Sequence, residues 1–447
     1  MMDLAVVICT YDKREFVVNC IESVLGSTFK NFDLIVVDNA SVDDTVPVIQ
    51  EKYSEKLTLL VNPENLGGSG GFNRGMQHAM DKNQYKYILL LDNDVVVEYS
   101  AIEMLYSFME EHPEAGACGS LVCKMSDPEI IQDFGAMIEP ENLGVRPLYG
   151  NQKRSEELPE VVVCDYVAAC SAIYRVDVLK KTGVINKDLF IYWDDMELSW
   201  KIRLAGYKVF AYSRSVVWHN HGLPGSLQES TFGSYYFFRN KLYCFTKYLD
   251  DIAYTRFVDD VTTRMFRIIS VNRDKPELVF SYMHALYDVL NGTMRKADNY
   301  KIRQYSHVPE KFHRTFETKK SVLIDHKVRF NYFRGLIDEI RKAGNNGGPE
   351  ITVTGNLEDA PRVEGVNYCE VIGDTKYDAV IEICDNIMDL EYLDRDKYYI
   401  DKYFNSILDE SDFRYFEGIE GSFSTFHRMT YAFLNSKFDA LRAILRS

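Results

Sequence analysis

A chain of 447 residues exceeds one ordinary domain, so two or three units with separate cores are expected. Its 46% hydrophobic and 26% charged residues exclude a disordered or fibrous protein. A net charge of -16 repels phosphate backbones and argues against nucleic acid as a partner.

The nine Cys are scattered and form no CxxC pair, which points to neither a disulfide framework nor a zinc knuckle and fits a reducing cytoplasm. The amino terminus reads as lacking a signal peptide, and no run reaches about 18 apolar residues. Membrane contact is therefore expected to be peripheral at most, at the inner face of the plasma membrane. The 30 Tyr and 26 Phe suit a carbohydrate-handling surface, although an aromatic core accounts for them equally well.

The first third alternates strand and helix patterns in the manner of a doubly wound sheet. Strands are predicted at Leu4 to Cys9, Leu34 to Val37, Leu57 to Val61 and Tyr87 to Leu91. Between them lie helices carrying Val17, Val18, Ile21, Val24 and Leu25, then one running to Tyr53, then one from Gly70 to Asn83. Ser41 and Asp44 resemble a capping arrangement for the second helix. From Ala115 to Tyr174 strands and loops follow, with Val161 to Tyr174 the most strand-like and Gly150 to Glu157 the most loop-like. Asp194 to Ala205 reads as a helix ended by Gly206, and Lys208 to Tyr212 and Val216 to Trp218 as strands. Helical patterns run from Ser230 to Ala343, Gly344 to Pro349 looks like a linker, and Ile351 to Thr354 and Ala379 to Ile383 are short strands.

Asp92-Asn93-Asp94 follows a buried strand and sits at the carboxyl edge of the sheet, where such sheets bind ligands. Two carboxylates there suit Mg²⁺ or Mn²⁺ shared with phosphate oxygens, though acids at strand ends are also ordinary turn residues. Asp38 ends a neighbouring strand and can accept from a base or ribose, or cap a helix. Asn65 to Gly75 is a glycine-dense loop opening a helix, whose backbone can approach an anion, with Arg74 available to a diphosphate. It matches neither GxGxxG nor a Walker loop.

Taken together, Val6 to Tyr11, Val36 to Ser41, Asn65 to Phe72 and Asp92/Asp94 resemble the family-2 inverting glycosyltransferases of GT-A fold. The glycine loop looks most like that of bacterial polymerising galactofuranosyltransferases. The similarity continues through Phe190 to Asp195, Val217-Trp218-His219 and Tyr235 to Asn240, over roughly residues 3 to 250. It implies Asp195 as general base, at a helix start whose dipole keeps carboxylates ionised. It also implies His219 as third metal ligand beside Asp92 and Asp94, with His221 left open. Thr10, Asp38, Asn65, Arg74, Asp92 and Asn93 are then expected to hold the nucleotide, and Trp193 and Asp194 the acceptor. Two features depart from the galactofuranosyltransferase pattern: its amino-terminal β-sandwich is absent, and its acceptor-site tryptophan pair is replaced at Val167-Ala168-Ala169.

The expected architecture is an α/β GT-A catalytic domain over residues 1–230, a helical region over 231–343 and a small α/β region over 344–447. The implied reaction is transfer from a nucleotide sugar, UDP-galactofuranose favoured, to a surface polysaccharide or lipid-linked glycan, with Mn²⁺ or Mg²⁺. The rivals are rhamnosyl transfer from dTDP-rhamnose and a non-catalytic glycan-binding protein. Self-association stays open, and so does membrane docking through Tyr235 to Lys247 and Lys311 to Lys320.

Overall fold

The structure, a computed structural model, describes residues 2–139, 144–155, 157–220, 230–272, 275–302, 310–328, 333–344, 348–357, 360–370, 375–385, 387, 390, 392–401 and 405–446. Its first unit winds β1 (Leu4–Thr10), α1 (Arg14–Gly26), β2 (Phe32–Asp38), α2 (Thr45–Tyr53), β3 (Thr58–Val61), α3 (Gly67–Lys82) and β4 (Tyr87–Asp92) into a parallel sheet. Then come β5 (Val95–Val97), α4 (Ala101–Glu111), β6 (Ala115–Lys124), β7 (Asp127–Asp133), the hairpin β8 (Ala136–Glu139) and β9 (Gly144–Pro147), β10 (Val161–Cys164), β11 (Ser171–Arg175), α5 (Val176–Thr182), α6 (Asp194–Leu204) and β12 (Lys208–His219). The main sheet runs β10-β12-β6-β11-β4-β1-β2-β3, with β5 added on β12 and β7 on β6. This is a mixed α/β sheet of the GT-A kind.

The central strands are hydrophobic without alternation because both sheet faces are covered. Ala5 and Val7 of β1 enter one core while Leu4, Val6 and Ile8 enter the other. Helix α3 lies close on β1 and β2 through a glycine face: a Cβ on Gly71 would meet Cys9 Sγ at 2.1 Å, and one on Gly75 would meet Val7 Cγ1 at 2.3 Å.

Several boundaries differ from the sequence reading. Helix α3 starts at Gly67, not Gly70. The two strands expected after Gly206 are one strand, β12, broken in register between Tyr212 and Val216. Val161 to Tyr174 divides into β10 and β11, and β5, α4 and α5 were not anticipated. Ser41 does not cap α2; its hydroxyl accepts from the Asp12 amide, and Asp43 accepts from Thr45.

The helices α7 (Thr231–Tyr248), α8 (Asp251–Val271) and α9 (Pro276–Leu290) share an aromatic core with the loop before α6. A third unit holds α10 (Glu310–Phe316), β13 (Ser321–His326), α11 (Phe333–Ala343), β14 (Glu350–Gly355), β15 (Asn367–Tyr368), β16 (Ala379–Cys384), β17 (Tyr398–Asp401) and β18 (Ser406–Ile407), in sheet order β15-β14-β13-β16-β17-β18. The last helix, α12 (Glu410–Arg446), returns to the second unit, where Phe438 packs on Phe257 and Arg442 lies 3.7 Å over the Tyr254 ring.

The expected boundary at 343/344 therefore cuts a sheet, because β13 pairs with both β14 and β16. A short apolar run such as Ser321 to His326 cannot be told from a buried helix by periodicity. Of the proposed linker, residues 345–347 lie outside the described residues. The apolar side chains of the segments considered for membrane docking turn inward: Tyr235, Tyr236, Leu242 and Phe245 of α7 and Phe312 and Phe316 of α10 are core residues. No helix among the described residues is long and apolar enough to cross a membrane.

Candidate active site

Strand β4 delivers Asp92 to the carboxyl edge, and the turn Asn93-Asp94 leads into β5. Because β5 pairs antiparallel with β12, His219 stands opposite Val95, beside Asp94. The Asp94 carbonyl accepts from the Asn220 amide at 3.0 Å, which closes the turn. His219 Nε2 is then 3.1 Å from Asp94 Oδ1 and 3.7 Å from Asp92 Oδ2. One donor atom from each of the three lies within 4.8 Å of the others. Two carboxylate oxygens and an imidazole nitrogen are a donor set that fits Mn²⁺ or Mg²⁺.

Electrostatics at this cluster follow from burial. Asp92 is pushed up to about 6, by desolvation first and by Asp94 and Asp194 in addition, against His219. For His219 burial opposes protonation, but the Cys170 sulfur and the Asp94 and Asp92 carboxylates override it and hold the ring up to about 11. His219 Nε2, with the two carboxylates, would hold a divalent ion in place of that proton, and its charge would offset the repulsion between Asp92 and Asp94. His221 lies outside the described residues.

A bridge of backbone joins this cluster to Asp195. The Cys170 carbonyl accepts from the Asp92 amide at 3.2 Å, and the Ala169 amide donates to Asp195 Oδ2 at 3.3 Å. Asp195 Oδ1 also accepts from the Met196 amide at 2.7 Å in the first turn of α6. The sequence reading expected helix-end N–H groups to dominate and keep this acid ionised. Burial and the neighbouring Asp194 instead hold Asp195 well above the usual carboxylate range, with those N–H groups opposing. Asp194 is raised as well, by burial first, against the Ser69 hydroxyl.

The approach to this pair is strained. Phe190, Tyr192 and Trp193 all have positive φ, 68°, 65° and 68°. Each such non-glycine residue costs on the order of 1–3 kcal/mol and persists only where surroundings over-determine it. Here α7 does so. Asn240 Nδ2 donates to the carbonyls of Leu189, Ile191 and Tyr192 at 2.8–2.9 Å. Arg239, fully buried, donates to Leu189 O at 2.9 Å and Arg295 O at 2.7 Å, with Tyr235 and Tyr236 rings against its guanidinium. From the other side the Ser69 amide donates to Phe190 O at 3.0 Å.

The nucleotide-side residues gather at the ends of β1 and β2. Thr10 is buried, and its Oγ1 accepts from Asn93 Nδ2 at 2.9 Å. Asp38 is fully buried; Oδ2 accepts from the Ser41 amide at 3.0 Å, while Oδ1 has no partner. Asn65 Oδ1 accepts from the Gly67 amide at 2.8 Å, which shapes the loop.

Two expected site residues are placed elsewhere. Arg74 donates to Val61 O at 2.7 Å and to Asn62 Oδ1, and lines a groove with Asn65, Gln77, His78, Lys187 and Arg295. Its position on the far face of α3 follows from the glycine face being the one against the sheet. Trp193 is 1% exposed and packs edge-on against Phe237 and Phe245, so its ring offers no face to an acceptor. The glycine loop also differs in purpose: Gly67, Gly71 and Gly75 serve close packing. The sequence reading missed Gln132, whose amide nitrogen lies 2.7 Å from His219 Nδ1, and Asp133, whose charge adds to the rise at Asp195; both lie on a short polar segment without periodicity, while Ser69, Ala169 and Asn240 stood inside quoted segments without an assigned task.

The sheet order, with the acidic cluster at its carboxyl edge, is that of a mixed α/β sheet of the GT-A kind. Residues 5–183 match the family model Glycosyl transferase family 2. The match ends before Asp194. The chain is similar to poly-beta-1,6-N-acetyl-D-glucosamine synthase of Staphylococcus epidermidis, 22% identical over 216 residues, 48% of this chain and 49% of the relative. It thus spans about half the length of the curated relatives it matches. Among solved structures, GalNAc-T7 with UDP, GalNAc and Mn2+ aligns with TM-score 0.47, 15% identity and coverage of 59% of this chain and 51% of that one. S. aureus TarS 1-349 aligns with TM-score 0.43, 17% identity and coverage of 65% and 81%.

Proposed function

We propose that this protein is a metal-dependent inverting glycosyltransferase that moves a sugar from a nucleoside diphosphate to a hydroxyl of a polysaccharide or lipid-linked glycan. The observation that carries the reading is the short backbone bridge, Ala169-Cys170, between Asp195 and the Asp92/Asp94/His219 cluster. It sets a proton acceptor beside a cluster of donor atoms that would hold a cation. The unpaired Oδ1 of buried Asp38 supports a nucleoside at the ends of β1 and β2, since an N–H of the base or a ribose hydroxyl satisfies it. Thr10, Asn65 and Asn93 shape that side.

Asp195 takes the proton of the acceptor hydroxyl as its oxygen bonds to the anomeric carbon, and the bond from that carbon to the diphosphate breaks on the opposite face. Asp92, Asp94 and His219 would hold the divalent ion. The ion, when bound, supplies positive charge against the leaving diphosphate. Asp194 orients the acceptor or supports Asp195. The raised affinity of Asp195 for a proton brings it nearer the working pH, as suits a base.

The likeness of Asn65 to Phe72 to galactofuranosyltransferase loops supports UDP-galactofuranose as donor. The relative named above makes an N-acetylglucosamine polymer, so UDP-N-acetylglucosamine is its direct competitor. The test is donor turnover with Mn²⁺ across UDP-galactofuranose, UDP-N-acetylglucosamine and dTDP-rhamnose, with polysaccharide acceptor. Fastest turnover of another sugar overturns the galactofuranosyl assignment, and turnover of none under any metal overturns the enzyme in favour of a glycan-binding protein.

A further inference from the structure

Strand β7 carries a bulge. Its register against β6 pairs Ile131 with Cys123 and Asp133 with Val122, so Gln132 is the extra residue with no opposite number. Bulges beside active sites re-aim a side chain, and this one points the Gln132 amide at His219: amide Nε2 lies 2.7 Å from ring Nδ1. The opposite ring nitrogen, Nε2, faces Asp94 and Asp92. Gln132 Oε1 is buried and has no partner.

We propose that Gln132 is the positioning residue that readies His219 to ligate a metal; the proposal rests on the metal reading of the cluster. A neutral imidazole binds an ion through Nε2 only when Nδ1 carries the proton, and a ligating His almost always donates that N–H to a fixed acceptor. An amide is both donor and acceptor. With Nε2 toward the ring, Gln132 can donate only to an Nδ1 that carries no proton, which leaves the ring N–H on Nε2, facing Asp94. A half turn of the amide presents Oε1 to Nδ1–H, satisfies the orphaned oxygen and frees the ring Nε2 lone pair toward the carboxylates. Glutamine thus serves both tautomers at one site, which neither a carboxylate nor an apolar side chain does.

The experiment is Mn²⁺ binding without nucleotide, followed by electron paramagnetic resonance of the free ion, on the full chain and on Gln132→Met, Gln132→Glu and Asp94→Ala, with thermal melts as a check on folding. Loss of an outer partner of a metal-bound histidine typically lowers affinity about 10- to 100-fold. Gln132→Met is expected to fall in that range, and Gln132→Glu, which keeps an acceptor for Nδ1–H, to stay within about threefold of the native chain. Native-like affinity in Gln132→Met alongside lost binding in Asp94→Ala overturns the role of Gln132 alone. Equal weakening in Gln132→Met and Gln132→Glu also overturns it, since shape and not the acceptor then matters. Identical binding in the native chain and Asp94→Ala overturns the metal reading, and this role falls with it.

Discussion

A Cβ built on Gly67 would lie 2.0 Å from the carbonyl oxygen of Phe190, and Gly67 has φ +74°. The glycine loop and the strained segment ahead of Asp194 are therefore locked backbone to backbone. Gly67→Ala is expected to break that lock, lowering stability by at least about 2 kcal/mol through the left-handed conformation and the clash together. Urea denaturation and transfer assays check it: transfer should fall more than tenfold even where the protein remains folded, while Gly68→Ala, whose Cβ meets nothing within 4 Å, should behave like the native chain.

Asn240 anchors the same segment from the opposite side. Asn240→Ala removes three hydrogen bonds to carbonyls of Leu189, Ile191 and Tyr192, and the positive-φ residues lose their restraint. Misplacing a reacting group by about 1 Å can cost on the order of 10²-fold. Expected is a fall of that size in kcat with Mn²⁺ affinity unchanged, because the metal cluster sits on β4, β5 and β12. Loss of metal binding in this variant would count against the separation of the two parts.

Asp195→Asn should retain Mn²⁺ and nucleotide binding while transfer falls about 10²- to 10⁴-fold, the usual worth of a positioned base. The native pH–rate profile should rise through a pH above that of an ordinary carboxylate, since burial and Asp194 raise Asp195. The same shift affects stability. A carboxyl raised in the folded state binds more protons there than in the unfolded chain, so metal-free stability should decline as pH rises from the unfolded value near 4 through the raised one. Melting curves of the metal-free native chain and Asp195→Asn across pH 4 to 9 measure this; the decline should be shallower in the variant.

Chelation should convert the protein to a form that does not turn over donor, with recovery on adding Mn²⁺ or Mg²⁺. Asp94→Ala and His219→Ala should each weaken metal affinity by more than tenfold, because each removes one of three ligand atoms clustered within 4.8 Å. Calorimetric titration with Mn²⁺ decides this, and metal dependence identical to the native chain in both variants would show that the ion is held elsewhere.

The amino-terminal sheet was legible because β1, β2 and β4 are short apolar runs each ending at the carboxyl edge in a polar residue, Thr10, Asp38 or Asp92, a local pattern that needs no partner to read. The Asp92/Asp94 pair and Asp195 at a helix start were visible for the same reason. What depends on distant pairing was not. His219 was reached only through the family resemblance, not from its own surroundings in sequence: it acquires Asp92 and Asp94 as neighbours because β12 meets β5, with Val95 and His219 124 residues apart. Gln132 matters only through a bulge against β6, and Ala169 only because its amide meets Asp195. Trp193 and Arg74 carried the right chemistry, yet helix packing turned one into the core and the other to the far face of α3. The proton affinity of Asp195 went the same way: a helix start favours the charged form locally, and burial beside Asp194, which only the tertiary structure creates, reverses the balance because desolvating a carboxylate costs more than two backbone N–H groups return.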